Sequence, residues 1–261
     1  MSNVTNLINY SVQNRIGYIT LNRPEKRNAL NPEIIRQLTD IFGSANGDEQ
    51  VKVIVLKANG EVFCAGADLA YLKQLQDNSL EENLADSALL KELYLAIYQS
   101  SKFTIAQVEG HAIAGGCGLA TVCDVVFSVQ EAKFGYTEVK IGFIPALVSC
   151  FLIRQIGERR TRELLLSGDL ITAKTACDYG LVNFVIDKDQ INEKVLKYAL
   201  RIIETTSAES IKLTKQLLVF NQNNSLNDSL DKAVLMNAEA RATADCKKGI
   251  AAFLNKQELK W

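Results

Sequence analysis

The stretch Glu109-Gly-His-Ala-Ile-Ala-Gly-Gly-Cys-Gly-Leu-Ala-Thr-Val-Cys-Asp124 organises this chain. The apolar run Phe103–Val108 precedes it, and a helix-like pattern follows its glycines. Glycines at a strand-to-helix turn let the backbone approach a ligand closely, and the first N–H groups of a helix have no intrahelical acceptor. The stretch therefore indicates either a site for a negative or developing-negative oxygen or an ordinary tight turn of an α/β domain.

Composition excludes several classes of partner. The 261 residues include 29 Lys+Arg and 30 Asp+Glu, for a net charge of -1, so neither nucleic acid nor an anionic membrane is an expected partner. Hydrophobic residues make up 48% of the chain, which is enough for a substantial core in one large domain. No apolar run reaches the roughly 18 residues of a membrane span, and the first ten residues are polar. We therefore expect a cytoplasmic protein.

The metal-binding residue types do not cluster in the sequence. The chain has six cysteines without a C-x-x-C pair, and its one histidine is His111. A lone histidine cannot build a metal site, and scattered cysteines in apolar surroundings are typical of reduced core thiols. The sequence predicts no metal.

Local patterns predict alternating strands and helices over residues 1–188. Residues 8–21 read as a β-hairpin, and Asn31-Pro32 has the pattern of a helix N-terminus. A buried strand is predicted at 51–56. The later segment Phe63-Cys-Ala-Gly-Ala-Asp-Leu69 has the same order as the Glu109–Asp124 stretch: the end of a strand, then small residues, then a helix. Two such turns can converge at the carboxyl ends of the strands, where ligands bind in open α/β sheets.

The rest of the chain divides into a cover, further strands and a helical tail. Residues 71–86 predict a mobile, irregular helix-and-loop cover over the site, followed by a helix at 87–100. Residues 132–134 predict a short edge strand. Residues 189–258 have the apolar spacing of amphipathic helices throughout. The repeated strand-turn-helix unit is compatible with a superhelical arrangement.

Several stretches together resemble the enoyl-CoA hydratase/isomerase (crotonase) superfamily. They are Leu21-Asn-Arg-Pro-Glu-Lys-Arg-Asn-Ala-Leu30, Phe63–Leu69, Gly110–Ala120 with Cys123-Asp124, Phe134-Gly-Tyr-Thr-Glu138 and Gly249-Ile-Ala-Ala-Phe253. The resemblance implies an α/β fold, a crotonase-like ββα superhelix (spiral) with a helical C-terminal trimerisation region. It assigns residues 1–188 to the spiral core with its acyl-CoA site and residues 189–261 to oligomerisation. The implied assembly is a homotrimer or a dimer of trimers.

The same resemblance implies a site for acyl-CoA thioesters. Coenzyme A is then part of the substrate, and no separate cofactor is expected. The thioester oxygen would accept hydrogen bonds from the backbone N–H groups of Ala65 and Gly115, which stabilises an enolate, and Glu138 would be the acid/base. The positions that match coenzyme A contacts are Lys26, Arg27, Ala29, Ala67, Asp68, Leu69, Phe253 and Lys256.

One position departs from the family's hydratases. They carry a second glutamate three residues after the oxyanion glycine, and here that position is Gly118. Glycine has no carboxylate to hold water, and a large rise in hydration on replacing Gly118 with glutamate would show that the missing carboxylate limits this activity. Glu138 needs a raised pKa, for which its apolar sequence neighbours are suitable. The candidates for orienting water instead are Tyr71, Tyr94, Tyr136, Asp77, Glu81, Glu82 and Asp86.

Three functions follow as hypotheses. The first is an acyl-CoA hydro-lyase; residues 136–146 resemble bacterial members described as methylglutaconyl-CoA hydratase-like. The second is an enoyl-CoA isomerase in which Glu138 alone moves a proton between the α- and γ-carbons. The third is an acyl-CoA-binding protein without turnover, because the pair of carboxylates is incomplete.

Overall fold

The structure, a computed structural model, describes residues 7–261. The strands are β1 (Ile8–Gln13), β2 (Ile16–Leu21), β3 (Val53–Ala58), β4 (Val62–Cys64), β5 (Phe103–Val108), β6 (His111–Ile113), β7 (Val125–Val129), β8 (Lys133–Gly135), β9 (Ile171–Thr172) and β10 (Phe184–Ile186). The helices are α1 (Pro32–Gly47), α2 (Leu69–Leu75), α3 (Leu80–Tyr98), α4 (Gly115–Thr121), α5 (Ala146–Ser167), α6 (Ala173–Tyr179), α7 (Ile191–Thr205), α8 (Ala208–Asn221), α9 (Leu226–Ala242) and α10 (Ala244–Leu254). Pro24–Lys26 and Glu138–Ile141 form 3₁₀ helices.

The strands form two sheets, and successive ββα units contribute to both. The larger sheet has the order β1-β2-β3-β5-β7-β10, and the smaller has the order β4-β6-β8-β9. The units β3-β4-α2, β5-β6-α4 and β7-β8-α5 each place their first strand in the larger sheet and their second in the smaller. All the strand pairs between these units are parallel. This winding is the predicted ββα superhelix.

Local sequence signals form as predicted in the first 50 residues. β1 and β2 pair antiparallel, with Ile8 opposite Leu21. Asn14 and Arg15 have φ values of 53° and 63°, the left-handed conformation that a two-residue hairpin turn requires. The Asn31 side chain accepts a hydrogen bond from the Ile34 N–H and begins α1, whose buried face packs into the core.

The predicted helix-and-loop cover contains helix and loop, but the predicted start of the next helix was wrong. Residues 71–86 are largely helical, because α3 begins at Leu80 rather than near residue 87. Ser79 caps α3: its hydroxyl accepts from the Glu82 N–H, and the Glu82 carboxylate accepts from the Ser79 N–H. This capping box is visible in the sequence as Ser-x-x-Glu. The strand predicted at 132–134 is also not at an edge, since β8 lies between β6 and β9.

The C-terminal residues form four consecutive helices, α7 to α10, as the amphipathic pattern predicted. The Lys215 ammonium on α8 lies 2.6 Å from an Asp124 carboxylate oxygen, which also accepts hydrogen bonds from Thr104. This ion pair attaches the helical segment to the residue before β7 of the larger sheet. Between residues 7 and 261, no helix is long and apolar enough to cross a membrane.

The capping box gives a local test of α3. Replacing Ser79 with alanine removes the acceptor for the Glu82 N–H and should destabilise the first turn of α3 by about 1 kcal/mol. Amide hydrogen exchange at residues 82–84 should accelerate accordingly, about fivefold. The matched control is Ser87→Ala, an exposed position within the same helix. Equal exchange in both variants would contradict the capping role of Ser79.

Candidate active site

Two glycine-containing turns pack directly against each other where β4 and β6 end. Gly66 has φ +88°, and a Cβ there would lie 2.9 Å from the Cβ of Ala114. A Cβ on Gly116 would lie 2.5 Å from the carbonyl oxygen of Cys64. Side chains at either glycine would therefore separate the turns. Their close approach brings the segments Cys64–Asp68 and Ala114–Gly118 into one wall, as the sequence predicted for two converging turns.

Backbone pairing in the first turn decides which N–H group is available. The Ala65 N–H, expected to face the substrate, instead donates to the Arg27 carbonyl at 3.1 Å. Leu30 forms a parallel bridge with Ala67: its N–H donates to the Gly66 carbonyl, and its carbonyl accepts from the Asp68 N–H. In such a bridge the central residue's own N–H points away from the partner strand. Ala67, which is exposed, thus replaces Ala65 as the donor that this turn offers.

The second turn offers the N–H of Gly115. Ala114, which precedes α4, has φ 50° and ψ -127°, an unusual backbone conformation for a residue with a side chain. Its own N–H donates to the Gly135 carbonyl at 2.8 Å, and its carbonyl accepts from the Gly118 N–H. These bonds hold the strained residue in place. Within residues 7–261, neither the Gly115 N–H nor the Ala67 N–H has a hydrogen-bond acceptor.

Glu138 supplies a carboxylate with unused hydrogen-bonding capacity. It is the first residue of the second 3₁₀ helix, and its carbonyl accepts from the Phe143 N–H. Its Oε2 atom is buried and has no hydrogen-bond partner among the described residues. Burial raises the pKa of Glu138, as the sequence predicted. A buried oxygen without a partner is costly in a folded protein and indicates a site for an exchangeable ligand or proton.

Tyr94 occupies the space beside Gly118. Its side chain is 1% exposed, and its hydroxyl donates to the Gly115 carbonyl at 2.9 Å. A Cβ on Gly118 would lie 2.1 Å from the Tyr94 hydroxyl oxygen. A Gly118→Glu exchange by itself therefore cannot test the missing carboxylate, because the new side chain has no room beside Tyr94.

The other candidates for orienting water have partners or lie elsewhere. The Tyr71 hydroxyl donates to the Asp86 carboxylate, which joins α2 to α3. The Tyr136 hydroxyl is 2.6 Å from the hydroxyl of Thr121, deep in the core. Glu82 belongs to the capping box, while Asp77 and Glu81 are exposed on the cover. The structure thus singles out Tyr94 from this set.

Three of the residues matched to coenzyme A contacts, Lys26, Arg27 and Ala29, lie in a segment that adjoins the Cys64–Asp68 turn. Lys26 and Arg27 are exposed, and Ala29 is buried next to them. These residues are brought close to the Cys64–Asp68 turn by the Ala65–Arg27 hydrogen bond and the Leu30 bridge. Two exposed cations near the candidate donors are suited to phosphate groups.

Asp68 has a structural role that the sequence only partly revealed. Its carboxylate accepts from the Ala70 N–H and so caps α2. It also forms an ion pair of 2.6 Å with Arg23, which lies in the stretch Leu21–Leu30. Burial by itself would raise the pKa of Asp68, but the hydrogen bonds from Arg23 and Ala70 outweigh burial and lower it. Leu69, next in the chain, is 84% exposed.

Phe253 and Lys256 lie at the end of the helical segment. Phe253, on α10, is 80% exposed. Lys256 is exposed just beyond α10, and its backbone N–H donates to the Phe253 carbonyl. Neither side chain has a hydrogen bond or ion pair to the two turns within the described part of the chain.

His111 does not belong to a metal centre in this structure. It is exposed on β6, and its Nδ1 accepts from the Lys133 N–H at 3.2 Å. Across residues 7–261, no group of three or more His, Cys, Asp or Glu side chains is arranged to hold a metal ion.

Comparison with known proteins identifies relatives over nearly the whole chain. The family model described as Enoyl-CoA hydratase/isomerase matches residues 11–261. A Thermus thermophilus relative is 40% identical over 93% of this chain and 95% of its own length. The 2,3-dehydroadipyl-CoA hydratase of Escherichia coli is 34% identical over 95% of each chain. The crystal structure of an enoyl-CoA hydratase from Mycobacterium smegmatis superposes with a TM-score of 0.92 at 27% identity, covering 98% of this chain and 99% of that one.

The contact between Gly118 and Tyr94 predicts that alanine at position 118 destabilises the protein, although alanine usually stabilises a helix relative to glycine. Gly118→Ala should lower the free energy of unfolding by about 1–3 kcal/mol, because the added methyl group overlaps the Tyr94 hydroxyl. Urea unfolding would measure the change. Gly43→Ala in α1 is the matched control: its Cβ meets nothing within 4 Å, and it should stabilise by about 0.5–1 kcal/mol. A stabilising Gly118→Ala would contradict the packing described.

Proposed function

Because the chain belongs to the enoyl-CoA hydratase/isomerase family, we propose that it adds water across the α,β double bond of an enoyl-CoA thioester. One arrangement supports this proposal. The backbone N–H groups of Ala67 and Gly115 lie on the wall formed by the two turns, and neither has a hydrogen-bond acceptor among the described residues. Tyr94 contacts the second turn, and Glu138 has a buried carboxylate oxygen without a partner among those residues. Donors fixed in this way are suited to an oxyanion, and the carboxylate to proton transfer.

The oxyanion pair stabilises the charge that forms during the reaction. As water attacks the β-carbon, the π electrons of the double bond move towards the thioester and give an enolate. The N–H groups of Ala67 and Gly115 donate to its oxygen. Because hydrogen bonds hold both turns in place before substrate binds, the donors need little reorganisation.

Glu138 completes the addition as a single acid/base. Its carboxylate takes one proton from the attacking water while the C–O bond forms, and it then gives that proton to the α-carbon of the enolate. The net change is OH on the β-carbon and H on the α-carbon, with Glu138 restored. Burial raises the pKa of Glu138, which makes its carboxylate a stronger base than an exposed one.

The identity of the acyl group is a finer part of the proposal. Relatives carry names such as 2,3-dehydroadipyl-CoA hydratase and crotonyl-CoA hydratase. Residues 136–146 add 3-methylglutaconyl-CoA as a candidate substrate. Ile141, Phe143 and Ile144 expose apolar surface directly after Glu138, where bulk on the protein would shape the acyl pocket.

An isomerase is the second candidate, and Gly118 is the observation that favours it. A single carboxylate suffices to move a proton between the α- and γ-carbons of an enoyl-CoA, and Glu138 is the one carboxylate assigned to this site. The same oxyanion pair would stabilise the dienolate formed on the way. Assaying hydration and isomerisation side by side therefore distinguishes the two functions.

Coenzyme A binding and assembly complete the proposal. Lys26 and Arg27 would contact the phosphates, with Ala29 and Ala67–Leu69 beside the rest of the carrier and with Phe253 and Lys256 reaching it from a neighbouring copy. A homotrimer or a dimer of trimers is supported by the apolar surface of the last two helices: Leu230, Val234, Leu235, Ile250, Phe253 and Leu254 are all exposed in the single chain.

Removing the carboxylate charge tests the role of Glu138. Glu138→Gln should lower kcat for hydration of crotonyl-CoA and of 3-methylglutaconyl-CoA by about 10²–10⁴-fold, because no other assigned group can take the proton of water. Loss of the conjugated enoyl absorbance measures hydration, and its appearance from a 3-enoyl-CoA measures isomerisation. In the wild type, kcat/KM should fall as pH drops through the raised pKa of Glu138, because only the carboxylate accepts the proton.

Glu131→Gln is the matched control for this test. Glu131 is exposed in the turn before β8, and its exchange should leave both rates and the pH profile unchanged. Full activity in Glu138→Gln would overturn the assignment for hydratase and isomerase alike. Turnover of the 3-enoyl-CoA without hydration of either enoyl-CoA would favour the isomerase.

A further inference from the structure

Tyr94 is a buried polar residue beside the proposed site, and neither the oxyanion pair nor the acid/base step involves it. Its hydroxyl oxygen lies next to both glycines of the second turn: an added Cβ would be 2.1 Å away at Gly118 and 3.5 Å away at Gly115. The aromatic ring is held edge-on to Phe151, with centroids 6.0 Å apart. The hydroxyl therefore has a fixed position beside Gly115, the residue whose N–H group is proposed to hold the thioester oxygen.

The hydrogen bond from Tyr94 determines what its oxygen can do. The hydroxyl proton is donated to the Gly115 carbonyl at 2.9 Å, so the oxygen is left with lone pairs and can only accept. Burial raises the pKa of Tyr94 well above its usual value, and the nearby Glu138 carboxylate adds to the rise. Tyr94 thus stays protonated, keeps its bond to Gly115 and does not act as an acid or base.

Resting on the proposed hydratase function, we propose that Tyr94 and Glu138 share the reacting water. The water donates one hydrogen to the Tyr94 hydroxyl oxygen and the other to the buried Oε2 of Glu138, which has no partner among the described residues. With both hydrogens engaged, a lone pair of the water is directed at the β-carbon. Tyr94 replaces the absent side chain at Gly118 as the group that orients water.

The proton balance assigns different roles to the two residues. The hydrogen facing Glu138 is transferred to the carboxylate and then to the α-carbon, while the hydrogen facing Tyr94 stays on the new hydroxyl group. Tyr94 contacts the reacting water without changing protonation state. A reaction that needs Glu138 and the oxyanion pair but no water attack should not need the Tyr94 hydroxyl as an acceptor.

Exchange of the α-protons of butyryl-CoA in D₂O is such a reaction. Glu138 removes an α-proton, exchanges it with solvent and returns a deuteron, and the enolate uses the same oxyanion pair. Tyr94→Phe keeps the ring and removes the oxygen. It should lower kcat for crotonyl-CoA hydration by at least about tenfold and leave the exchange rate, followed by NMR, within about twofold of wild type.

Tyr136→Phe is the matched control, since Tyr136 is also fully buried and its hydroxyl pairs with Thr121 instead. Its ratio of hydration to exchange should equal that of wild type. An equal fall of both rates in Tyr94→Phe would overturn the proposal, because it would show that the hydroxyl only anchors the Gly115 turn. Unchanged hydration would overturn it as well. Glu138→Gln must abolish both reactions; if it abolishes neither, the proposed function itself fails.

If Tyr94→Phe does not fold, a second pair of variants tests the same proposal. Tyr94→Ala opens the space beside Gly118, and Tyr94→Ala combined with Gly118→Glu places a carboxylate there as a new acceptor. Hydration by the double variant should exceed that of Tyr94→Ala by at least about tenfold at equal exchange rates. Equal hydration in the two would show that an acceptor at this place does not orient water.

Discussion

The pairing of residues 27–30 with residues 65–68 is the constraint on which the candidate site depends. Ala65 donates to Arg27, and Leu30 uses its N–H and carbonyl on either side of Ala67. This pairing requires the Ala67 N–H to point away from residues 27–30. Because the left-handed Gly66 also packs on Ala114, the same segment fixes its position against the second turn. The bridge between Leu30 and Ala67 therefore orients the Ala67 N–H and places it near the Gly115 N–H.

Exclusion of water from the groups around these donors gives the site its electrostatic character. Burial raises the pKa of Glu138 and, more strongly, that of Tyr94. Cys64 and Cys117, which belong to the two turn segments, are also buried, and burial raises the pKa of each thiol to about 12. Burial thus favours the neutral form of each of these groups more than water would. In such a low-dielectric setting, two backbone N–H groups act on an oxyanion more strongly than they would in water.

Much of the fold could be predicted from local patterns, and the reasons are specific. The Asn14-Arg15 turn, the Asn31-Pro32 helix start and the buried strand Phe103–Val108 each depend on residues adjacent in sequence. The ordered motifs identified the superfamily, which the relatives then confirmed. The early start of α3 was also present in the sequence, as Ser79 and Glu82, but the polar composition of 71–86 concealed it.

Two features of the site could not be predicted, because they depend on contacts between distant residues. The choice of Ala67 over Ala65 follows from pairing with Leu30, which lies 37 residues earlier in the sequence. The filled space beside Gly118 comes from Tyr94 on α3, and no spacing rule relates a helix residue to a glycine on a different helix. The sequence showed an absent carboxylate; the structure shows which side chain lies in its place.

A crystal structure with bound butyryl-CoA tests the central claim most directly, since this saturated thioester cannot be hydrated. The account predicts that the thioester oxygen lies about 2.7–3.1 Å from the backbone nitrogens of both Ala67 and Gly115, with the Ala65–Arg27 hydrogen bond intact. A thioester oxygen bound by the Ala65 nitrogen, with that hydrogen bond broken, would contradict it.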